Sequence, residues 1–233
     1  MNKLLVSDFD NTFYNNNVDY LKNIEYVNKF VDKGNYFVIA TGRHIGILLP
    51  AIKPFNIKYN YLICNDGGII FDKNLKIIYQ KDIPNEIIAP IAKIIDKNIG
   101  IGVWYIDTGT YITTNTNSNA NGIIGKILNF NNAEELLNYI TSNYKEVHGY
   151  LSTGWINITE KTVTKQSVIE LLSTSLKIDN QSIYTIGDNI NDVSMSVYNS
   201  YCMTNSVPEL KAVCQKEYDA VYLLIQDILD GKI

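Results

Sequence analysis

The stretch VSDFDNTFYN, residues 6–15, is the key to the fold. An apolar run of Leu4, Leu5 and Val6 leads straight into Asp8 and Asp10, followed by Asn11 and Thr12. Side chains of an extended chain alternate with period two, so both carboxylates fall on one face at the tip of what reads as a buried strand. Two unit charges about 4 Å apart repel by roughly 4 kcal/mol at an effective dielectric of about 20. Such crowding calls for a compensating charge.

A second acidic pair lies in SIYTIGDNINDVSM, residues 182–195. Ile183, Tyr184 and Ile186 read as a strand, Gly187 allows a tight exit, and Asp188 and Asp192 are spaced to point back from the first turn of a following helix. In open parallel sheets, ligands bind outside the carboxyl ends of the strands. Both pairs therefore fall where a ligand binds, and a hard divalent cation with oxygen ligands, Mg²⁺ above all, would offset their charge. The chain has no His and Cys cluster suited to zinc.

Two further segments converge on the same place. In VIATGRH, residues 38–44, Thr41 and Gly42 follow an apolar run and offer a hydroxyl and an approachable backbone N–H to an anion. In TVTKQSVIELL, residues 162–172, Thr164 reads as a helix cap, Lys165 as first turn, and Val168, Leu171 and Leu172 as the buried face. A lysine in a first turn opposes the helix dipole. Carboxylates opposite it would account for its presence.

The order of elements extends this reading. Strand-like KLLVSDF, a helix over 18–33 ending at Gly34, the strand YFVIATG, a helix over 45–53 and the strand YNYLICNDGG alternate as in a parallel sheet with crossover helices. GIIFDKNLKIIYQ reads as a hairpin turning at Asp72 to Asn74. From 83 to 158 the texture changes: a helix (86–96), strands GVWYID and TYITT, an Asn-rich loop (115–122), a helix (133–142) and a strand pair in HGYLSTGWINIT. Alternation then resumes with a helix from Thr164, the strand SIYTIGD, a helix from Ile190, the strand YCMT and two closing helices. The expectation is an α/β parallel-sheet core over 1–82 and 159–233, interrupted by an α+β insert over 83–158.

Composition bounds the remaining choices. The chain has 233 residues, 46% of them apolar, and a net charge of −4 without a basic stripe, which argues against a nucleic-acid partner. No signal-peptide core or membrane span is legible, so the cytoplasm is expected and a membrane partner is not. Cys64, Cys202 and Cys214 are odd in number and lack CxxC spacing, which suggests buried free thiols.

Taken together, these segments resemble the haloacid dehalogenase (HAD) superfamily, and within it the Cof-like subfamily IIB phosphatases, nearly end to end. DFDNT is similar to the family's DxDxT motif, ATGR to its threonine motif, Lys165 to its lysine motif and GDNIND to its GDxxND motif, in the family's order and with a cap between the second and third. ICNDGG and CMTN resemble segments near the active site, which would bring Asn65, Gly67 and Asn205 toward the substrate.

The resemblance implies a HAD-like Rossmannoid core with an inserted cap, and hydrolysis of a small phosphorylated metabolite (a sugar phosphate, nucleotide or cofactor phosphate) through an aspartyl phosphate. Asp8 would be the nucleophile and Asp10 the acid and base. Mg²⁺ would be held by Asp8, the carbonyl of Asp10, Asp188 and Asp192. Thr41, Lys165 and Asn189 would stabilise the transferring phosphoryl group, with Gly42, Arg43 and Asn65 as further phosphate contacts. Arg43, the only arginine, could equally support its own loop. Gln166 stands where the family often has glycine, Lys161 is a rival for Lys165, and the short insert suggests an open pocket. Trp104, Tyr105, Tyr111 and Trp155 suit either packing or stacking on a substrate. His44 and His148 show no acidic or serine partner and receive no catalytic role. A phosphomutase of the same fold and a non-catalytic phosphate-binding regulatory protein are the alternatives; a two-component receiver domain would be about half this length. The leaving alcohol and the oligomeric state are not legible.

Overall fold

A computed structural model describes residues 2–15, 20–98, 102–127, 130–152 and 154–233. Its larger sheet is built from β1 (Leu4–Ser7), β2 (Tyr36–Ala40), β3 (Tyr61–Cys64), β4 (Ile69–Asp72), β5 (Ile77–Gln80), β11 (Ile183–Gly187), β12 (Asn199–Met203) and β13 (Glu217–Tyr218). The spatial order is β13-β12-β11-β1-β2-β3-β4-β5, parallel as far as β3 and antiparallel over the hairpin β4 and β5. The smaller sheet collects β6 (Val103–Asp107), β7 (Ile112–Thr113), β8 (Gly122–Lys126), β9 (Val147–Ser152) and β10 (Trp155–Glu160), in the order β7-β6-β8-β10-β9 and antiparallel throughout.

Burial on both faces explains why β1 is continuously apolar. Leu5 packs with Val27 and Phe30 of α1 (Tyr20–Asp32), Leu48 of α2 (Ile45–Ile52) and Leu224 and Ile228 of α7 (Val221–Leu229). Leu4 and Val6 pack on the opposite side with Val168, Ile169 and Leu172 of α5 (Lys165–Leu176) and with Met195. The smaller sheet has its own core, in which Ile88 and Ile91 of α3 (Asn85–Asn98) and Ala133 and Ile140 of α4 (Phe130–Asn143) meet Ile106, Ile123 and Ile158.

Several details depart from the sequence reading. On α5 it is Ile169, not Leu171, that joins the core, and Leu171 is half exposed. On α1, Asn23, Ile24, Val27 and Phe30 are buried and Val31 is partly buried against the same core, and the first two residues of the expected helix, 18 and 19, lie outside the described residues. The segment from Ile190 is a 3-10 helix (Ile190–Val197), and α6 (Pro208–Lys211) is a single turn. The strands β8 and β13 had no clear alternation in sequence. The sulfurs of Cys202 and Cys214 are bonded, whereas Cys64 is buried and free.

The Asn-rich segment ends differently from a solvated loop. Residues 115–119 are at least partly exposed, but Ala120 and Asn121 are fully buried where the two sheets join. The Asn121 amide donates to the carbonyls of Gly68 (2.7 Å) and Lys81 (2.8 Å), and its oxygen accepts from Asn65 Nδ2 at 2.7 Å. Asn121→Ala removes the side-chain donor from the Gly68 and Lys81 carbonyls and the acceptor from the Asn65 amide, and although Gly68 keeps the Lys81 N–H at 2.9 Å and Asn65 keeps Asp107, each group left unsatisfied costs roughly 1–3 kcal/mol. Urea unfolding should show a loss of about 2–4 kcal/mol, and an unchanged midpoint would mean that this junction is not structurally important.

Candidate active site

The parallel register brings the two acidic segments together. Leu4 lies opposite Ile183 and Ser7 opposite Ile186, so Asp8 and Asp188 leave the carboxyl ends of neighbouring strands, and Asp8 N–H donates to the Ile186 carbonyl at 2.9 Å. Asp192 folds back beneath them. Its Oδ2 accepts from the N–H groups of Asp188 (2.9 Å) and Asn189 (3.0 Å), which fixes the turn before the 3-10 helix. A Cβ at Gly187 would stand 2.3 Å from Asp192 Cγ, so this return requires glycine.

Lys165 is the counter-charge. Thr164 caps α5 through a reciprocal pair with Ser167, its Oγ1 accepting from Ser167 N at 3.0 Å and its N–H donating to Ser167 Oγ at 3.1 Å. The next residue, Lys165, is thereby aimed inward, and its Nζ donates to Asp8 Oδ1 at 2.7 Å and to Asp192 Oδ1 at 2.6 Å. Burial disfavours the lysine's charged form, but Asp192 and Asp8 outweigh it and raise its pKa. Lys161, by contrast, is exposed and away from the carboxylates.

One lysine does not balance the cluster. Oxygens of Asp8, Asp188 and Asp192 lie within 4.8 Å of one another, and all three residues are buried. Burial first, and then Lys165 in opposition and Asp192 and Asp188 in support, leave the Asp8 carboxyl well above the usual range. Asp188 is pushed up to about 6, by burial and then by Asp192, against a hydrogen bond from Thr12 Oγ1 at 2.9 Å. Three hard oxygen donors with one internal cation suit a divalent ion.

The remaining expected residues divide clearly. Asp8, Asp10, Thr41, Gly42, Arg43, Asp188 and Asn189 line a cavity of about 410 Å³ between the two sheets, while Lys165 and Asp192 lie behind its floor. Arg43 grips Asp10 in a bidentate pair, Nε to Oδ2 at 2.8 Å and Nη2 to Oδ1 at 2.5 Å, and its guanidinium lies over the Phe9 ring. Thr41 Oγ1 accepts from Arg43 N–H at 3.1 Å, so the hydroxyl proton stays available for another acceptor. Asn65 does not line the cavity; its amide is spent on Asn121, and Gly67 abuts the Thr164 carbonyl. Asn205 is exposed and does not line it either. Tyr105 and Trp155 line it, whereas Trp104 donates to Asp96 and Tyr111 is exposed. His148 is engaged with the Val163 carbonyl and Thr159.

Sequence reasoning missed three partners. Asp66 is buried beside the cavity, accepting from the Tyr150 hydroxyl of β9 and from Asn191 Nδ2 at 2.7 Å. The first of these bonds ties the smaller sheet to the larger one, and burial, with Asp66 next, holds the Tyr150 phenol well above its usual range. A Cβ at Gly42 would come within 3.0 Å of Asp66 Oδ2 and 3.2 Å of the Tyr150 hydroxyl, wedging into that bond. His44 does have an acidic neighbour, since its Nε2 lies 3.8 Å from Asp107 Oδ1. All three pairings join residues remote in sequence, and only the aspartate of ICNDGG offered any signal.

The profile of the haloacid dehalogenase-like hydrolases matches residues 5–153 and 112–221. A presumed phosphatase of Buchnera aphidicola subsp. Baizongia pistaciae is 26% identical, with 97% of each chain covered. A haloacid dehalogenase-like hydrolase of B. subtilis superposes with a TM-score of 0.85 at 16% identity, covering 96% of this chain and 99% of its own. The HAD subclass IIB sugar phosphatase BT4131 superposes with a TM-score of 0.83 at 19% identity, covering 99% and 100%.

Removing the cation from a buried cluster leaves its partners uncompensated, at about 3–5 kcal/mol. Lys165→Met should therefore lower unfolding stability by about that amount in EDTA at pH 7, and by less near pH 4, where the carboxyls take up protons. Equal stability of the two proteins at pH 7 would show that the lysine does not hold the cluster.

Proposed function

Because the chain belongs to the haloacid dehalogenase-like hydrolases, we propose that it is a phosphatase that hydrolyses a small phosphorylated metabolite through an aspartyl phosphate on Asp8. The observation that carries this reading is Lys165 bonded to both Asp8 and Asp192 beneath a cleft lined by Asp8, Asp10, Thr41 and Arg43. The similarity to a presumed phosphatase along nearly the whole chain supports it. The segment 83–158 is the cap in this reading, and its smaller sheet covers the cleft.

Asp8 offers one oxygen to Lys165 and keeps the other for in-line attack on phosphorus. As the Asp8 oxygen bonds to phosphorus, the bond to the leaving alcohol breaks, and Asp10 supplies the proton that the departing oxygen needs. In the second half a water attacks the same phosphorus and gives its proton to Asp10, and the bond to Asp8 breaks, releasing inorganic phosphate. Thr41 donates its free hydroxyl proton to an equatorial oxygen, and Asn189 lines the same cleft. Arg43 occupies both oxygens of Asp10, so Asp10 can carry the proton only once the guanidinium has turned from it to the phosphoryl group. Asp8, the Asp10 carbonyl, Asp188 and Asp192 would hold Mg²⁺, which would neutralise charge on the transferring group. Asp192 Oδ2 is already committed to two backbone amides.

Among the described residues no helix is long and apolar enough to cross a membrane.

Hydrolysis of p-nitrophenyl phosphate should be lost in EDTA and restored by Mg²⁺, and Asp8→Asn should fall to background. Full activity of Asp8→Asn would remove the proposed nucleophile. Asp10→Asn should turn over about 10²-fold or more slowly if proton transfer contributes as usual; an unchanged kcat would remove Asp10 from that role.

A further inference from the structure

His44 and Asp107 face the cleft yet take no part in the phosphoryl chemistry. His44 is the cap residue of α2, and its Nδ1 accepts the Gly46 N–H at 2.9 Å. That bond places the proton of the neutral ring on Nε2, which becomes a donor. The residue is only 7% exposed, it lines the cavity, and among the described residues Nε2 is the buried side-chain nitrogen without a hydrogen-bond partner.

Its nearest acidic oxygen is Asp107 Oδ1 at 3.8 Å, beyond hydrogen-bond reach. Asp107 ends β6 and is held in place by the Gly109 N–H at 2.7 Å and by the Asn65 side chain. An oxygen atom about 2.8 Å from each closes a triangle on that base. A hydroxyl fits the chemistry, because it accepts from Nε2–H and donates its own proton to the carboxylate.

The surrounding wall narrows the class further. Of the residues that β6, β8, β9 and β10 contribute to the cavity, Asp107 alone carries a formal charge, and it is negative. A second phosphate or a carboxylate on the leaving group would be repelled there. Tyr105, Ile124 and Trp155 supply apolar and aromatic surface suited to the carbon face of a sugar.

We propose that His44 and Asp107 form a hydroxyl-binding subsite that selects the phosphate esters of uncharged polyols, sugars or sugar alcohols, over leaving groups that carry a second anion. The proposal rests on the phosphatase reading only for the placement of the phosphoryl end.

The test is calorimetric binding to Asp8→Asn in Mg²⁺, so that no ligand is turned over. The ligands are glucose 6-phosphate, its 2-, 3- and 4-deoxy analogues, fructose 1,6-bisphosphate and inorganic phosphate. A site built to bond a hydroxyl rejects the analogue lacking it, so one deoxy compound should bind at least tenfold more weakly than its parent. His44→Asn, added to this background, keeps an oxygen for the Gly46 N–H and removes the group at Nε2. In that protein the same two ligands should bind within about twofold of each other, the subsite's donor having gone. A purely structural role would weaken every ligand alike and leave the ratio standing. The proposal is overturned by an identical deoxy profile in both proteins, by no deoxy analogue being rejected, or by glucose 6-phosphate binding no more tightly than phosphate or the bisphosphate. Phosphate release by the unaltered protein is read separately, and its absence would strike the phosphatase reading while the binding ratios still decide this one.

Discussion

The buried contact of Lys165 with Asp8 and Asp192 is the constraint on which the site depends. An ammonium deprived of water is costly, and the cost is offset only when its partners sit at bonding distance and are themselves held in place. Each structural detail nearby serves that condition. The Thr164 and Ser167 pair sets where α5 begins, the absent side chain at Gly187 lets Asp192 return, and parallel pairing of β1 with β11 brings Asp8 alongside. Three carboxylates around one cation leave the arrangement short of positive charge, and a divalent ion is the kind of group that could make up the difference.

The acidic strand ends and the alternation of strands and helices were legible because they depend on local rules: period-two burial, capping and the position of ligands in parallel sheets. Lys165 was legible for the opposite reason, since it breaks a local rule and needed a distant partner. What escaped notice was set by contacts across the chain. Asn121 lay in a run of asparagines that composition marks as loop, yet it is bonded to residues more than 35 positions earlier. Asn65 was expected at the phosphate and instead holds the junction, because Asn121 and Asp107 offer it nearer partners. Leu171 and Ile169 are equally apolar, and only the angle at which α5 meets the sheet decides which is covered.

The cleft lies between two sheets with separate cores, so its shape depends on what crosses the seam. Asn121 fixes the junction at one end, and the Tyr150 hydroxyl on Asp66 closes the other. Asp66 accepts from Asn191 as well, which couples that closure to the turn carrying Asp188 and Asp192. The acidic cluster and the position of the smaller sheet thus share a residue, Asp66.

The pairing of β1 also has a bearing on biosynthesis. Residues 4–7 lie between residues 36–39 on one side and 183–186 on the other. A chain emerging from the ribosome can complete the smaller sheet, with its independent core, before the strand bearing Asp8 acquires its second neighbour. The acidic cluster is therefore completed late, and a product truncated before residue 183 carries the first acidic motif on a strand that still pairs with residues 36–39 but lacks the neighbour that brings Asp188 and Asp192 to it.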